Sequence, residues 1–346
     1  MARAGHTVHG GGDLRTAVTI ASSGEVNAKM RSGNAGQPTN AAAGKPSDKN
    51  GFSLISGEKL IALYAAMVQC RMIAERSAVW MEQGRIARGL HAAVGHEAAI
   101  AGIAADLMPE DTLSSSHIDL LAAFLKGKPL ESLLASLAAP ANGHGQRPFS
   151  PAGNGASAAN LMAPPARPAH LLKAACDAAL AHKASSPGKV AVAFLSGSEI
   201  QLDGWRETLP FAGRHELPVL FAWLNTEAGE RDSRAAETRF EAIAEEALAH
   251  GVPAIAVEIN DVVAVYRVAS ESIARARSGR GPTLIECRAH RLPHDGGAAH
   301  KNSVPLDAHD PLRNMERYLT AKRLFPAELK PAIVSSFARE LDRAAG

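Results

Sequence analysis

VAVAFLSGSEIQLDGWRETLPFAGRHELPVLFAWLNT, residues Val190–Thr226, decides the fold. It holds two unbroken apolar runs, Val190–Leu195 and Pro218–Leu224, with a helical pattern over Gly204–His215 between them. A strand with one wet face alternates apolar and polar residues. A short continuous apolar run flanked by helices instead predicts a parallel strand covered on both sides.

Working outward, the same unit repeats. Toward the C-terminus, Thr238 and Glu241 have capping-box spacing, Gly251 ends that helix, and Ala254–Ile259 is the next strand. Asp261 is placed to cap the following helix, whose buried stripe is Val262, Val265, Tyr266, Ala269 and Ile273; Gly279 and Gly281 end it before the strand Thr283–Cys287. Toward the N-terminus, His170–Lys183 is helical. These repeats predict an α/β fold, a doubly wound parallel sheet with helices on both faces.

A helical segment precedes the sheet. Leu60, Leu63, Tyr64 and Met67 recur at i, i+3, i+4 and i+7 in a helix that begins near Glu58 and runs to Gly84; Gly95–Leu107, Asp119–Leu125 and Leu130–Leu137 follow. Ten prolines and glycines between Ala138 and Pro168 predict a long loop. Residues 1–52, rich in Gly, Ala, Ser and Asn without a sustained period, are expected to form a disordered tail. Arg3, Arg15 and Arg31 leave a transit peptide open, whereas Asp13 and Glu25 oppose it. Residues 53–346 read as one α/β domain.

Composition narrows the partners. With 46% hydrophobic and 21% charged residues, the 346-residue chain can bury a large core. Its 37 Lys+Arg against 35 Asp+Glu give a formal charge of +2, no signature of nucleic acid or an anionic membrane. No apolar run reaches the roughly 18 residues of a membrane span, and a cytoplasmic location is the default expectation. Cys70, Cys176 and Cys287 lack CxxC spacing and sit in apolar segments, as buried free thiols do. The helices after Glu58 carry more apolar surface than one layer covers, so an oligomer is expected.

In an open parallel sheet, ligands bind beyond the carboxyl ends of the strands. The loop Ser196-Gly197-Ser198-Glu199-Ile200-Gln201 is neither a GxGxxG turn nor a P-loop, and no Gly-rich turn opens a helix after any strand. A Rossmann-type nucleotide binder is therefore disfavoured.

The segments VAVAFLSGS (190–198), ELPVLFAWLNT (216–226) and NDVVAVY (260–266), with RGLHAAVGHEA (88–98) and GPTLIE (281–286), resemble the alpha subunit of thiamine-diphosphate-dependent pyruvate and branched-chain 2-oxo acid dehydrogenases. The resemblance runs from about Leu60 to Leu324, the Ala138–Pro168 loop excepted. It implies a thiamine-diphosphate-binding fold, a beta-subunit partner in a hetero-oligomer, and a lipoyl acyltransferase beyond it. It also implies thiamine diphosphate and magnesium as cofactors. His91 and His294 occupy the family's catalytic histidine positions. Gly197, Ser198, Asn225, Thr226 and Arg291 are the positional equivalents of its cofactor contacts, and Gly95 with Glu97 matches a motif behind His91.

Several of those positions carry the wrong chemistry. Family members hold magnesium with the Asp of Gly-Asp-Gly and the second Asn of Asn-Asn; here these are Gly197 and Thr226, while Asn225 matches the non-liganding first Asn. Magnesium demands hard oxygens in octahedral array, so a glycine and a neutral hydroxyl are poor substitutes. The family's Tyr-Arg pair aligns with His117-Ile118, removing a phosphate-binding cation, and its aminopyrimidine-receiving Gly-Ile-Val-Gly aligns with Ala166-Arg167-Pro168-Ala169. Glu199, Asp203 and Glu227 lie near enough in sequence to replace a ligand, although a solvated loop is the simpler reading, and no metal ligand is assigned. His96, His117 and His144 are expected to be solvent-facing or structural.

Two functions follow from the resemblance. One is an oxidoreductase component that decarboxylates a 2-oxo acid and passes the acyl group to a lipoyl carrier. The other is a non-catalytic relative with a regulatory or structural role. Family resemblance favours the first, and the chemistry of the replaced residues favours the second.

Overall fold

The computed structural model describes residues 55–86, 89–90, 93–114, 119–137, 170–196, 202–225, 233–288 and 309–345. The proposed tail and the Ala138–Pro168 loop lie outside these residues.

Five helices and one short strand precede the core of the sheet: α1 (Gly57–Glu82), α2 (Glu97–Ala104), β1 (Thr112–Leu113), α3 (Asp119–Leu125), α4 (Leu130–Leu137) and α5 (Leu171–Ser185). Then strand and helix alternate: β2 (Ala191–Ser196), α6 (Leu202–Arg214), β3 (Val219–Asn225), α7 (Ser233–Ala249), β4 (Ala254–Glu258), α8 (Val262–Arg277) and β5 (Thr283–Arg288). Helices α9 (Pro311–Ala321) and α10 (Leu329–Ala345) close the described chain. The sheet is parallel throughout, in the order β1-β2-β3-β5-β4.

The period of two in a strand explains why β2 and β3 contain no polar alternation. Val192, Phe194, Leu220, Ala222, Leu224 and Ile285 point into a core shared with α1–α4 and α8–α10. Ala191, Ala193, Leu195, Val219, Phe221, Trp223 and Leu284 point into a second core with α5, α6 and α7. Both sides of each strand are therefore dry. Burying a side chain such as Phe221 contributes about 2–3 kcal/mol, so both layers are needed to hold the sheet.

Local signals operate where they were read. The Ser56 hydroxyl accepts from the Lys59 amide at the start of α1, and Gly84 beyond its end takes φ 69°, which a side chain would disfavour. Asp261 accepts from the Val263 and Ala264 amides and caps α8. In α8, Val262, Val265, Ala269 and Ile273 are buried, but Tyr266 is only half-buried, its ring 5.0 Å from the Lys59 ammonium.

Two expectations are corrected. The capping-box pair Thr238/Glu241 falls inside α7, which starts at Ser233, so it does not cap the helix. Strand β4 is an edge strand with its residues largely accessible, Ile255 among them, rather than a strand covered on both faces; its apolar composition could not distinguish the two. Most apolar residues of α1 are covered within the chain, packing against α2, α9 and α10, two of which the sequence pattern did not reveal, while Val79 and Met81 stay exposed near its C-terminal end.

Cys70, Cys176 and Cys287 are free and buried, as their apolar settings predicted. Burial pushes all three thiols upward, Cys176 to about 12, so little reactive thiolate forms in the folded chain. We expect alkylation at pH 8, followed by mass spectrometry, to leave all three unmodified in the native chain on a timescale that labels the urea-unfolded chain fully. Native labelling at the unfolded rate at any one of them would contradict its burial.

Candidate functional site

The parallel arrangement places the carboxyl ends of β2, β3, β4 and β5 along one edge, so the segments following Ser196, Asn225, Glu258 and Arg288 leave from the same side. Asn225 and Arg288 are register partners on adjacent strands. Glu286 lies two residues before Arg288 and so shares its face of the sheet. The result is a polar cluster at the end of an apolar sheet. The Asn225 amide donates to Glu286 Oε1 at 2.6 Å, and Arg288 Nε donates to Glu286 Oε2 at 2.6 Å. Asn225 is 1% exposed and Glu286 fully buried, whereas the Arg288 side chain remains 30% exposed.

The sequence singled out Asn225 but gave Glu286 no role. Its signal was available: one carboxylate inside the apolar strand Thr283–Cys287, where an unpaired charge would be costly. We expect Glu286→Ala to destabilise the chain by about 1–3 kcal/mol, since buried Asn225 loses that acceptor and Arg288 loses its counter-charge. Glu286→Gln, which still offers an acceptor, should cost less. Urea denaturation midpoints check the order, and equal midpoints for both variants would contradict the role of the cluster.

A second polar constellation flanks residues 91–92 in sequence. Before them the Leu90 amide donates to the Ser77 hydroxyl at 2.7 Å, and after them the Gly95 amide donates to Glu97 Oε2 at 2.9 Å. Glu97 is fully buried at the start of α2 and receives Arg71 Nε from α1 at 2.5 Å. Burial raises the Glu97 carboxyl, with Arg71 and the Gly95 amide offsetting part of that rise. His96, expected to be solvent-facing or structural, is buried at the N-cap of α2 and makes no capping bond.

Of the residues assigned from the family resemblance, Asn225, Gly95 and Glu97 are the ones whose surroundings are described. His91, Gly197, Ser198, Thr226, Arg291 and His294 lie outside the described residues, as do His117, Ile118, His144, Ala166–Ala169, Glu199, Glu227 and the side chain of Asp203. The donor chemistry can still be tested for magnesium diphosphate. Both Glu286 oxygens are engaged, one by an amide and one by a guanidinium, so this carboxylate is not presented to a cation. Among the described residues there is no group of three or more His, Cys, Asp or Glu side chains that could hold a metal ion. By the family resemblance Gly197 and Thr226 stand at the two liganding positions, and neither residue type supplies the carboxylate that magnesium favours. Among the described residues, no helix is long and apolar enough to cross a membrane.

Comparison with known proteins places this geometry in context. A family model described as the dehydrogenase E1 component matches residues 64–344. The alpha subunit of acetoin:2,6-dichlorophenolindophenol oxidoreductase from Bacillus subtilis is 29% identical over 248 residues, 70% of this chain and 73% of that protein. The subunit of the same name from Cupriavidus necator is 29% identical over 240 residues, 68% of this chain and 71% of that protein. The pyruvate dehydrogenase E1 component subunit alpha of Staphylococcus aureus is 28% identical over 290 residues, 81% of this chain and 75% of its own.

Proposed function

This chain belongs to the dehydrogenase E1 component family, and we propose that it serves as an alpha-type subunit that pairs with a beta-type partner but no longer grips magnesium and diphosphate itself. Its role in such an assembly is regulatory or structural. The observation that carries this reading is the donor set at the carboxyl edge. Glycine and threonine stand at the metal-liganding positions, and the buried carboxylate beside Asn225 is committed to Arg288. The fold and the paired clusters around Asn225 and Glu97 supply a scaffold, while the charged contacts for the cofactor are replaced.

A second reading is favoured by the relatives, which are named as subunits of pyruvate dehydrogenase and of an acetoin oxidoreductase. In that reading thiamine diphosphate, when bound, supplies the carbanion-stabilising chemistry for oxidative decarboxylation of a 2-oxo acid, with acyl transfer to a lipoyl carrier. His91, His294 and Arg291 would then face the substrate and cofactor.

Co-expression with a beta-type subunit encoded beside this chain tests the assembly common to both readings. We expect light scattering to show a hetero-oligomer containing both chains. A monodisperse monomer, alone and with that partner present, would remove the proposal.

A further inference from the structure

Arg71 lies midway along α1, yet it reaches two segments far from it in sequence. Its Nε donates to Glu97 Oε1 at 2.5 Å, while Nη1 and Nη2 donate to the two Asp310 oxygens at 3.3 Å each. Neither acceptor is free for this guanidinium alone. Glu97 holds the Gly95 amide just before α2, and Asp310 caps α9 by accepting from the Leu312 amide at 2.8 Å. The start of α9 is in turn fastened to the sheet edge. Asn314 donates to the Asn260 carbonyl at 3.0 Å and Asn260 donates to the His309 carbonyl at 3.4 Å, just beyond the carboxyl end of β4. The Ile259 amide donates to the Arg288 carbonyl at 2.9 Å. A series of polar contacts, joined at His309–Asp310 and Ile259–Asn260 by adjacent backbone, therefore runs from Gly95 through Glu97, Arg71, Asp310 and Asn260 toward the cluster of Arg288, Glu286 and Asn225.

We propose that Arg71 is a positioning residue of the candidate site, a single guanidinium that couples the Gly95 backbone at the entry to α2 to the start of α9 and so to the carboxyl edge of the sheet. Arginine suits this task because its planar fork offers donors in two directions at once, whereas a lysine ammonium is one point charge. The proposal rests on reading that edge as the site. Its test requires no ligand, so a chain that binds no thiamine diphosphate leaves the test intact.

The test is amide hydrogen exchange on the full chain, because a route of contacts becomes coupling only if a change at one end is felt at the other. Asp310→Asn keeps a good N-cap while removing the charge that faces Arg71. It is expected to speed exchange at Gly95 by about fivefold or more, and Glu97→Gln to do the same at Leu312. Exchange at Phe221, in the middle of β3, is expected to stay within about twofold and so report global stability. In an Arg71→Lys background the cross-effect of Asp310→Asn on Gly95 should vanish. The proposal is overturned if each substitution affects only its own side of Arg71. It is equally overturned if Phe221 accelerates as much as the distant amide, or if the cross-effect survives in the lysine background.

Discussion

Calorimetric titration of thiamine diphosphate with magnesium into the full chain is expected to show binding weakened by about three orders of magnitude or more relative to a chain with the usual ligands. A diphosphate carries several negative charges, and a magnesium ion and an arginine are the groups that ordinarily balance them. By the family resemblance, Gly197, Thr226 and Ile118 stand at the three corresponding positions. Each charge-assisted contact is worth about 1.5–3 kcal/mol, and every 1.4 kcal/mol is about tenfold in affinity, so even partial additivity gives a large loss. Gly197→Asp combined with Thr226→Asn should recover part of the affinity only if the pyrimidine pocket tolerates Pro168. Micromolar, magnesium-dependent binding by the unmodified chain, alone or with its beta-type partner, would show that Glu199 or another group has replaced the missing ligand. The non-catalytic reading would then be wrong.

Replacing Arg277 by methionine is expected to lower the unfolding free energy by about 3–5 kcal/mol, the cost of leaving a buried charge without its partner. Arg277 closes α8 onto Asp111, which is fully buried: Nη1 meets Oδ1 at 2.9 Å and Nη2 meets Oδ2 at 2.5 Å. Asp111 also accepts the Val190 amide at 2.9 Å and the Met108 amide at 2.7 Å, so the same carboxylate starts both β1 and β2. Arg277 further donates to the Gly188 carbonyl at 2.8 Å. Methionine keeps much of the volume and removes the contacts of Arg277 to Asp111 and Gly188, leaving the Asp111 carboxylate with its two backbone amides alone. Scanning calorimetry should show a midpoint lower by on the order of 10 °C. Arg339→Met, at an exposed position of α10, should shift stability by less than about 0.5 kcal/mol. Equal effects at the two positions would show that the Asp111 clamp contributes nothing beyond surface charge.

The elements most legible in the sequence were those whose burial repeats with a simple period. Val190–Leu195 and Pro218–Leu224 were readable because a doubly covered strand needs apolar residues at both parities, and the two cores divide these strands residue by residue. Asp261 was readable because a side-chain cap acts within three residues. Thr238 with Glu241 matched an equally local pattern and failed, since α7 begins five residues earlier. A spacing rule cannot tell a helix start from a helix interior when tertiary packing extends the helix. The two-residue strand β1 is too short to carry a period, and it is held through backbone bonds to Val190 and Val192 that are remote in sequence.

By itself, the sequence determined the alternating strands and helices, the free buried cysteines and the family resemblance. Each of these depends on residue identity or on spacing within one element. Only the tertiary structure decided that β4 is an edge strand, because strand order is set by long-range pairing. It also decided the partners of Glu286 and the three-way bridge at Arg71, which joins residues 26 and 239 positions away. The physical reason is that a buried charge is tolerated only when folding brings a counter-charge and donors to it, and those partners come from whichever distant segments the packed layers place within reach.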